Sequence, residues 1–218
     1  MKEIFSGIFL IEDMLAVENL IPNYNPFGDQ LMKIDKKEYI IWNPQRSKLA
    51  AAITKGIKTV PIKKGSSILY MGAAHGYTCS KISCVVGEEG IIYAIEFSER
   101  CFNELLPLSE KYKNIIPVLS DCRKIENYSW IEKVDIVYCD IADPQEVEVF
   151  IRNCKEFLKK DGYGMIAIKS RSIDVTKSPK EIYKESIKKL EESDFEIIDW
   201  KTLDPLERAH AFIVVKMI

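Results

Sequence analysis

Residues 68–78 read Ile68-Leu69-Tyr70-Met71-Gly72-Ala73-Ala74-His75-Gly76-Tyr77-Thr78, a passage from apolar residues through a turn of small ones into the start of an amphipathic segment. Gly72 and Gly76 bracket Ala74 in a G-x-A-x-G turn, which lets backbone amides approach a ligand at the end of the first strand of an α/β sheet. The G-x-G-x-x-G spacing of nicotinamide dehydrogenases is not met, because the pattern fails at Ala74 and Gly76. By itself the turn marks a strand-to-helix joint and no particular activity.

Downstream of Pro61, short β-rich apolar runs alternate with amphipathic segments, which predicts a mostly parallel sheet with helices on both faces. The expected strands are residues 67–71, 91–97, 115–119, 134–140, 164–169, 195–200 and 211–217, seven in all. Helices are expected over 45–58, 78–86, 99–112, 144–159 and 179–193. Pro144 and Pro179 suit first helical turns, whereas Gly87 and Gly162 suit helix stops or the turns just after them. Residues 201–210 are too few for a helical crossover, so the last strand should run antiparallel to the one before it. Residues 1–43 differ: short alternating stretches (IFLI, LMKI, YIIW) flank the turn-forming NYNPFGD, predicting a small β-rich N-terminal module ahead of a main domain over 44–218.

Charge narrows the functions open to the chain. Lys and Arg number 31 against 33 Asp and Glu, a formal net charge of −2, so the surface as a whole is no polyanion trap and any nucleic-acid contact must be local or assisted. Basic clusters around Arg46, Lys48, Lys55, Lys58, Lys63 and Lys64, and at Lys169, Arg171 and Lys177, read first as solvated faces. The six cysteines show no CxxC pair and there are only two histidines, so no metal site is expected. Glu12, Asp13 and Glu18 interrupt the apolar N-terminal run before a leader or membrane span could form, and a cytoplasmic location with no membrane partner is expected.

Acidic residues close the expected strands in succession. Glu96 stands 20 positions after Gly76, where a carboxylate can accept hydrogen bonds from both hydroxyls of an adenosine ribose. Asp121 follows the third strand, within reach of an adenine amino group, and Asp140 ends the fourth. Acids at the carboxyl ends of parallel strands share the edge at which open α/β sheets bind ligands.

Six segments then resemble the fibrillarin family in family order. They are Trp42-Asn43-Pro44-Gln45-Arg46-Ser47-Lys48 with the alanines after it, the G-x-A-x-G turn, Tyr93-Ala94-Ile95-Glu96-Phe97-Ser98, Asp140-Ile141-Ala142-Asp143-Pro144-Gln145, the run from Gly162 through Lys169 to Asp174, and Leu203-Asp204-Pro205-Leu206-Glu207-Arg208-Ala209-His210-Ala211. The likeness spans residue 42 to the C-terminus and is closer to the archaeal form, since the chain has no Gly/Arg-rich N-terminal extension. Two departures stand out: His75-Gly76-Tyr77-Thr78 where family members commonly carry Ser-Gly-Thr-Thr, and Asp143 where Gln is commoner.

The resemblance implies a Rossmann-like α/β methyltransferase that uses S-adenosylmethionine and methylates ribose 2′-hydroxyls of rRNA or tRNA. It implies work inside a box C/D guide-RNA particle beside a Nop-domain scaffold protein and a kink-turn-binding ribosomal-type protein. Cofactor contact is expected from Gly72, Ala73, Ala74, Gly76, Thr78, Glu96, Phe97, Asp121, Cys122, Asp140 and Gln145. The family pattern assigns the chemistry to Lys48, Asp140, Lys169 and His210. Methyl transfer is an in-line displacement that needs the hydroxyl aligned and its proton removed. Lys169 is expected to take that proton, Asp140 to orient it, and Lys48 and His210 to position the ribose. Two other readings share the fold: a small-molecule O-methyltransferase, which would need a closed apolar pocket or a metal, and a non-catalytic scaffold, which would need none of the four.

Overall fold

The computed structural model describes Met1–Ile218. Its first five strands are β1 (Lys2–Phe5), β2 (Ile8–Ile11), β3 (Met14–Glu18), β4 (Leu31–Ile34) and β5 (Lys37–Ile41). They form an antiparallel sheet in the order β1-β2-β3-β5-β4. The alternating stretches IFLI, LMKI and YIIW supply β2, β4 and most of β5, as expected. β1 and β3 complete the sheet. Its inner face and the adjoining Trp42 place Ile8, Leu15, Val17, Ile40 and Trp42 in the same apolar cluster as Leu49–Ile53, Ile82 and Val85, so this sheet buries itself against the two helices, Lys48–Thr54 and Tyr77–Val86, to which those residues belong.

The larger sheet has seven strands in the order β11-β12-β10-β9-β6-β7-β8. In chain order the elements are α1 (Lys48–Thr54), β6 (Ser67–Met71), α2 (Tyr77–Val86), β7 (Ile91–Glu96), α3 (Glu99–Lys111), β8 (Ile115–Leu119), β9 (Val134–Cys139), α4 (Glu146–Phe157), β10 (Leu158–Lys169), α5 (Ser170–Ile173), α6 (Pro179–Glu191), β11 (Phe195–Thr202) and β12 (His210–Met217). β12 is antiparallel to both β10 and β11, and the remaining pairings are parallel. This is the expected mostly parallel sheet with an antiparallel last strand.

Side-chain alternation divides the core into two layers, as a sheet covered on both faces requires. Along β6, Ile68 and Tyr70 face the layer of α1, α2 and α3, while Leu69 and Met71 face that of α4 and α6. The chain runs outward from β6 through β7 to β8 in one direction and from β9 to β10 in the other. The reversal opens a crevice at the carboxyl ends of β6 and β9, the usual ligand position in open α/β sheets. There the Asp140 N–H donates to the Met71 carbonyl at 3.0 Å.

Some boundaries moved for local reasons. α1 starts at Lys48 because Ser47 caps it, its hydroxyl accepting the Ala50 N–H, while Asn43 Oδ1 accepts the Gln45 N–H and holds the preceding residues in a turn. Gly56, at φ 81°, ends it early. Pro179 occupies the first turn of α6 beneath a Ser178–Glu181 capping box, whereas Pro144 lies outside α4. Gly162 does not stop a helix; it sits inside β10, where the ladder with β9 is interrupted between Leu158 and Tyr163. No helix is long and apolar enough to cross a membrane.

Candidate active site

The G-x-A-x-G turn is pinned from two sides. The amides of Gly72 and Ala73 donate to the Ile95 carbonyl at 3.0 and 3.1 Å. Gly72 is left-handed at φ 79°, and a Cβ there would run into the Asp140 carbonyl oxygen, so only glycine lets β6 and β9 approach this closely. Glu96, buried at the end of β7, completes the turn: Oε2 accepts the Ala74 N–H and Oε1 the Ser98 N–H, both at 2.8 Å. One carboxylate thus fixes the loop and the entry to α3, with lone pairs left for a ligand.

Beside this turn lies a cleft of about 770 Å³, its open mouth included, lined by Gly72, Ala74, Ile95, Glu96, Phe97, Ser120, Asp121, Cys122, Arg123, Asp140, Ile141, Ala142 and Asp143. Seven of the expected cofactor residues are therefore brought together: Gly72, Ala74, Glu96, Phe97, Asp121, Cys122 and Asp140. Phe97 is 74% exposed at the mouth and offers an apolar ring face. Burial pushes the Cys122 thiol up to about 11, so it lines the wall as a neutral group.

Four expected residues stand behind or beside the cleft and do not line it. Ala73 is buried within the turn, and Gly76 is the left-handed N-cap of α2, packed against Leu105 and Leu108. Thr78 turns the other way, its hydroxyl bonding the Ser47 hydroxyl at 3.0 Å. Gln145 is exposed at the N-cap of α4.

Arg123 was not foreseen. Its Nε and NH2 clasp the Asp121 carboxylate at 3.0 and 2.7 Å, and NH1 reaches Asp143 at 3.4 Å. The side-chain hydrogen bonds from Arg123 hold the Asp121 carboxyl below the usual carboxylate range. The lining as a whole sets four carboxylates against one guanidinium. That balance suits a cationic adenosine derivative and repels a pyrophosphate, so the residues fit a sulfonium nucleoside.

The four residues expected to carry the chemistry gather at the same sheet edge. Lys48, first residue of α1, pairs with the Asp140 carboxylate at 2.9 Å. Burial opposes the Lys48 charge, but the attraction and hydrogen bond of Asp140 outweigh it and raise the lysine above its ordinary value. Asp140 therefore engages Lys48 and not Lys169, which corrects the expected orienting role: α1 delivers its first side chain across the end of β9, while the Lys169 side chain enters no ion pair.

Lys169 closes β10 and is the register partner of His210, first residue of β12. The His210 ring is 9% exposed, and burial lowers its pKa below the ordinary 6.5, so it is neutral at pH 7. Nδ1 lies 2.8 Å from the Arg208 carbonyl, which can only accept, so Nδ1 carries the hydrogen. Nε2 is left as a buried lone pair without a partner. Glu146, also unforeseen, is fully buried, and its Oε1 accepts the Lys169 backbone N–H at 2.7 Å. Its spacing to Phe150 and Cys154, both buried on one helix face, was the available signal.

The fibrillarin family model matches residues 1–218, the whole chain. The chain belongs to the fibrillarin family. A Pyrococcus furiosus relative named fibrillarin-like rRNA/tRNA 2′-O-methyltransferase is 47% identical, the match covering 99% of this chain and 97% of that protein. Among solved structures, Methanococcus jannaschii fibrillarin, described as a pre-rRNA processing protein, superposes with a TM-score of 0.95 at 45% identity, covering 99% of this chain and 96% of that one. Aeropyrum pernix fibrillarin with natively bound S-adenosyl-L-methionine gives 0.87 at 42% identity, with 95% and 92% covered. A fibrillarin/Nop5p complex gives 0.89 at 38% identity, with 98% of both chains covered.

Within a fibrillarin fold the doubly bonded Glu96 makes a direct prediction. Glu96→Gln replaces one acceptor by an NH₂ group facing a backbone N–H, so affinity for S-adenosylmethionine should fall about 10- to 100-fold, on the scale of a lost charged hydrogen bond. Titration calorimetry checks it, and unchanged affinity would remove Glu96 from the binding site.

Proposed function

We propose that this chain transfers the methyl group of S-adenosylmethionine to ribose 2′-hydroxyls of rRNA or tRNA, as the catalytic subunit of a box C/D guide-RNA particle. The observation that carries the reading is the convergence on one sheet edge of the Lys48–Asp140 ion pair, the Lys169–His210 register pair and the acidic cleft beside the Gly72 turn. Bound in that cleft, S-adenosylmethionine would supply an electrophilic methyl group on a sulfonium. Glu96 would hold its ribose and Asp140 would favour its positive charge.

Lys169 would take the proton from the 2′-hydroxyl as the new O–C bond forms and the sulfonium S–CH₃ bond breaks, its electron pair leaving with sulfur as a neutral thioether. Lys48, fixed by Asp140, can donate a hydrogen bond to the ribose, and the neutral His210 ring, opposite Lys169 in register, would help position it. The family relationship supports the reaction class, and the names of the solved relatives support the cofactor and a Nop-domain partner. A net charge of −2 fits a subunit whose RNA is delivered by others: a Nop-domain scaffold, a kink-turn-binding protein and the guide RNA. Cytoplasmic placement accords with this assembly.

The test mixes the chain with radiolabelled S-adenosylmethionine and target RNA, with and without guide RNA and both protein partners. Label at the guide-specified 2′-hydroxyl, and only in the complete mixture, is the expected result. Label on a small metabolite instead, or none on RNA in the complete particle, overturns the proposal.

A further inference from the structure

The function proposed above leaves one buried ionisable group unused. Glu146 is fully buried in the first turn of α4. Its Oε1 accepts the Lys169 N–H at 2.7 Å, and its Oε2 has no hydrogen-bond partner. The place of this bond is telling. The parallel ladder between β9 and β10 ends at Ile166 opposite Cys139, so Lys169 lies beyond the last β9 residue that could satisfy its amide. On the other side β12 continues to His210. Glu146 supplies from α4 the acceptor that β9 no longer provides.

We propose that Glu146 is a positioning residue acting as a neutral carboxylic acid: its carbonyl oxygen anchors the backbone of Lys169 at the open end of β10, and it adds no second negative charge beside that lysine. The groups that face it electrostatically are Asp140 and Asp143 from the loop after β9, Lys169 from β10, Lys48 from α1 and the buried Cys139 thiol of β9. Burial is the largest influence on its acidity, and it pushes the carboxyl up to about 9. An anion at this position would favour the ammonium form of Lys169 and so resist its taking a proton. A neutral acid holds the amide without that penalty, as an amide side chain would.

The structural half of this inference stands alone, whereas its effect on turnover rests on the reading of Lys169 as proton acceptor. Two readouts separate them. Between pH 4.5 and about 9 the folded chain keeps a proton on Glu146 that the unfolded chain releases, so each unit of rising pH weakens the native protein relative to a variant without the group. Glu146→Gln should therefore melt several degrees above the wild type at pH 8, with the gap closing towards pH 5 (on the order of 2–4 °C per 1 kcal/mol for a chain of this size). In the assembled particle, Glu146→Gln should keep kcat within about threefold, while Glu146→Leu, which removes the acceptor, should lose at least about tenfold with affinity for S-adenosylmethionine unchanged.

A glutamine variant that melts below the wild type at pH 8, or that loses as much turnover as the leucine variant, overturns the proposal. If the leucine variant fails to fold, the pH dependence of the glutamine variant decides alone. A particle that methylates nothing while the glutamine stabilisation appears would sink the functional reading and leave the neutral acid in place.

Discussion

Lys169→Ala should slow single-turnover methyl transfer by ~10²- to 10⁴-fold while affinity for S-adenosylmethionine stays within about twofold, the range set by removing a placed proton acceptor. The structure explains why the two effects separate. Lys169 sits at the end of β10, outside the cleft lining, and its backbone is anchored by Glu146 and paired with His210 without help from its own side chain. Truncation at Cβ leaves those bonds intact and deletes only the amine. Rapid-quench assays on the assembled particle, with the variant checked for cofactor binding, make the comparison. A loss under about threefold would remove Lys169 from proton transfer.

Gly72→Ala should disable the cofactor turn. Two strains combine there: an L-residue at φ 79°, and a Cβ that collides with the Asp140 carbonyl oxygen, a backbone atom that cannot rotate aside. The first costs about 1–2 kcal/mol. The second adds roughly 1–3 kcal/mol, as overpacking does. Gly65 is the control, because its φ is 78° and a Cβ there meets nothing within 4 Å. Gly65→Ala should thus show the first loss alone and bind S-adenosylmethionine normally. Gly72→Ala should lose more stability and at least about tenfold in affinity, since the collision forces apart β6 and β9 at the ligand crevice. Denaturant melts and calorimetry on both variants decide it; equal behaviour of the two would show that the turn tolerates a wider spacing.

The parts of the molecule legible in the sequence were those in which local pattern and tertiary environment agree. Strands β6 and β8 fall on the expected residues because each is a short apolar run between turn formers. The antiparallel placement of β12 followed from a connection too short for a helix. The position of Glu96 at the cleft was legible because it follows from chain order, an acid at the end of the second strand of the fold. β10 was read short at its N-terminal end, since Asp161-Gly162 signals a turn; the strand absorbs it as an interruption in pairing, with Asp161 at φ 63°.

What was not legible depends on contacts between distant segments. Asp140 was expected to orient Lys169, yet Lys48, 92 positions away, takes the carboxylate. No spacing rule announces that pairing, because it arises from how α1 crosses the sheet edge. Glu146 does not announce itself in the sequence, because an acid in the first turn of a helix ordinarily faces solvent and complements the helix dipole. Its burial is set by β10, which closes over it. Arg123 illustrates the same limit, bonding Asp121 beside it and, across the cleft, Asp143, 20 residues beyond the arginine.

The pairing of Lys169 with His210 has a mechanical corollary. The two lie opposite each other on adjoining antiparallel strands, in a ladder that runs unbroken from Tyr163 to Lys169. Because successive side chains on a strand point to opposite faces, sliding β12 by a single position would carry the imidazole to the far side of the sheet. Length changes in the connection over residues 203–209 are therefore harmless only when they leave that alignment untouched. Whatever else changes in the hairpin, its phase cannot.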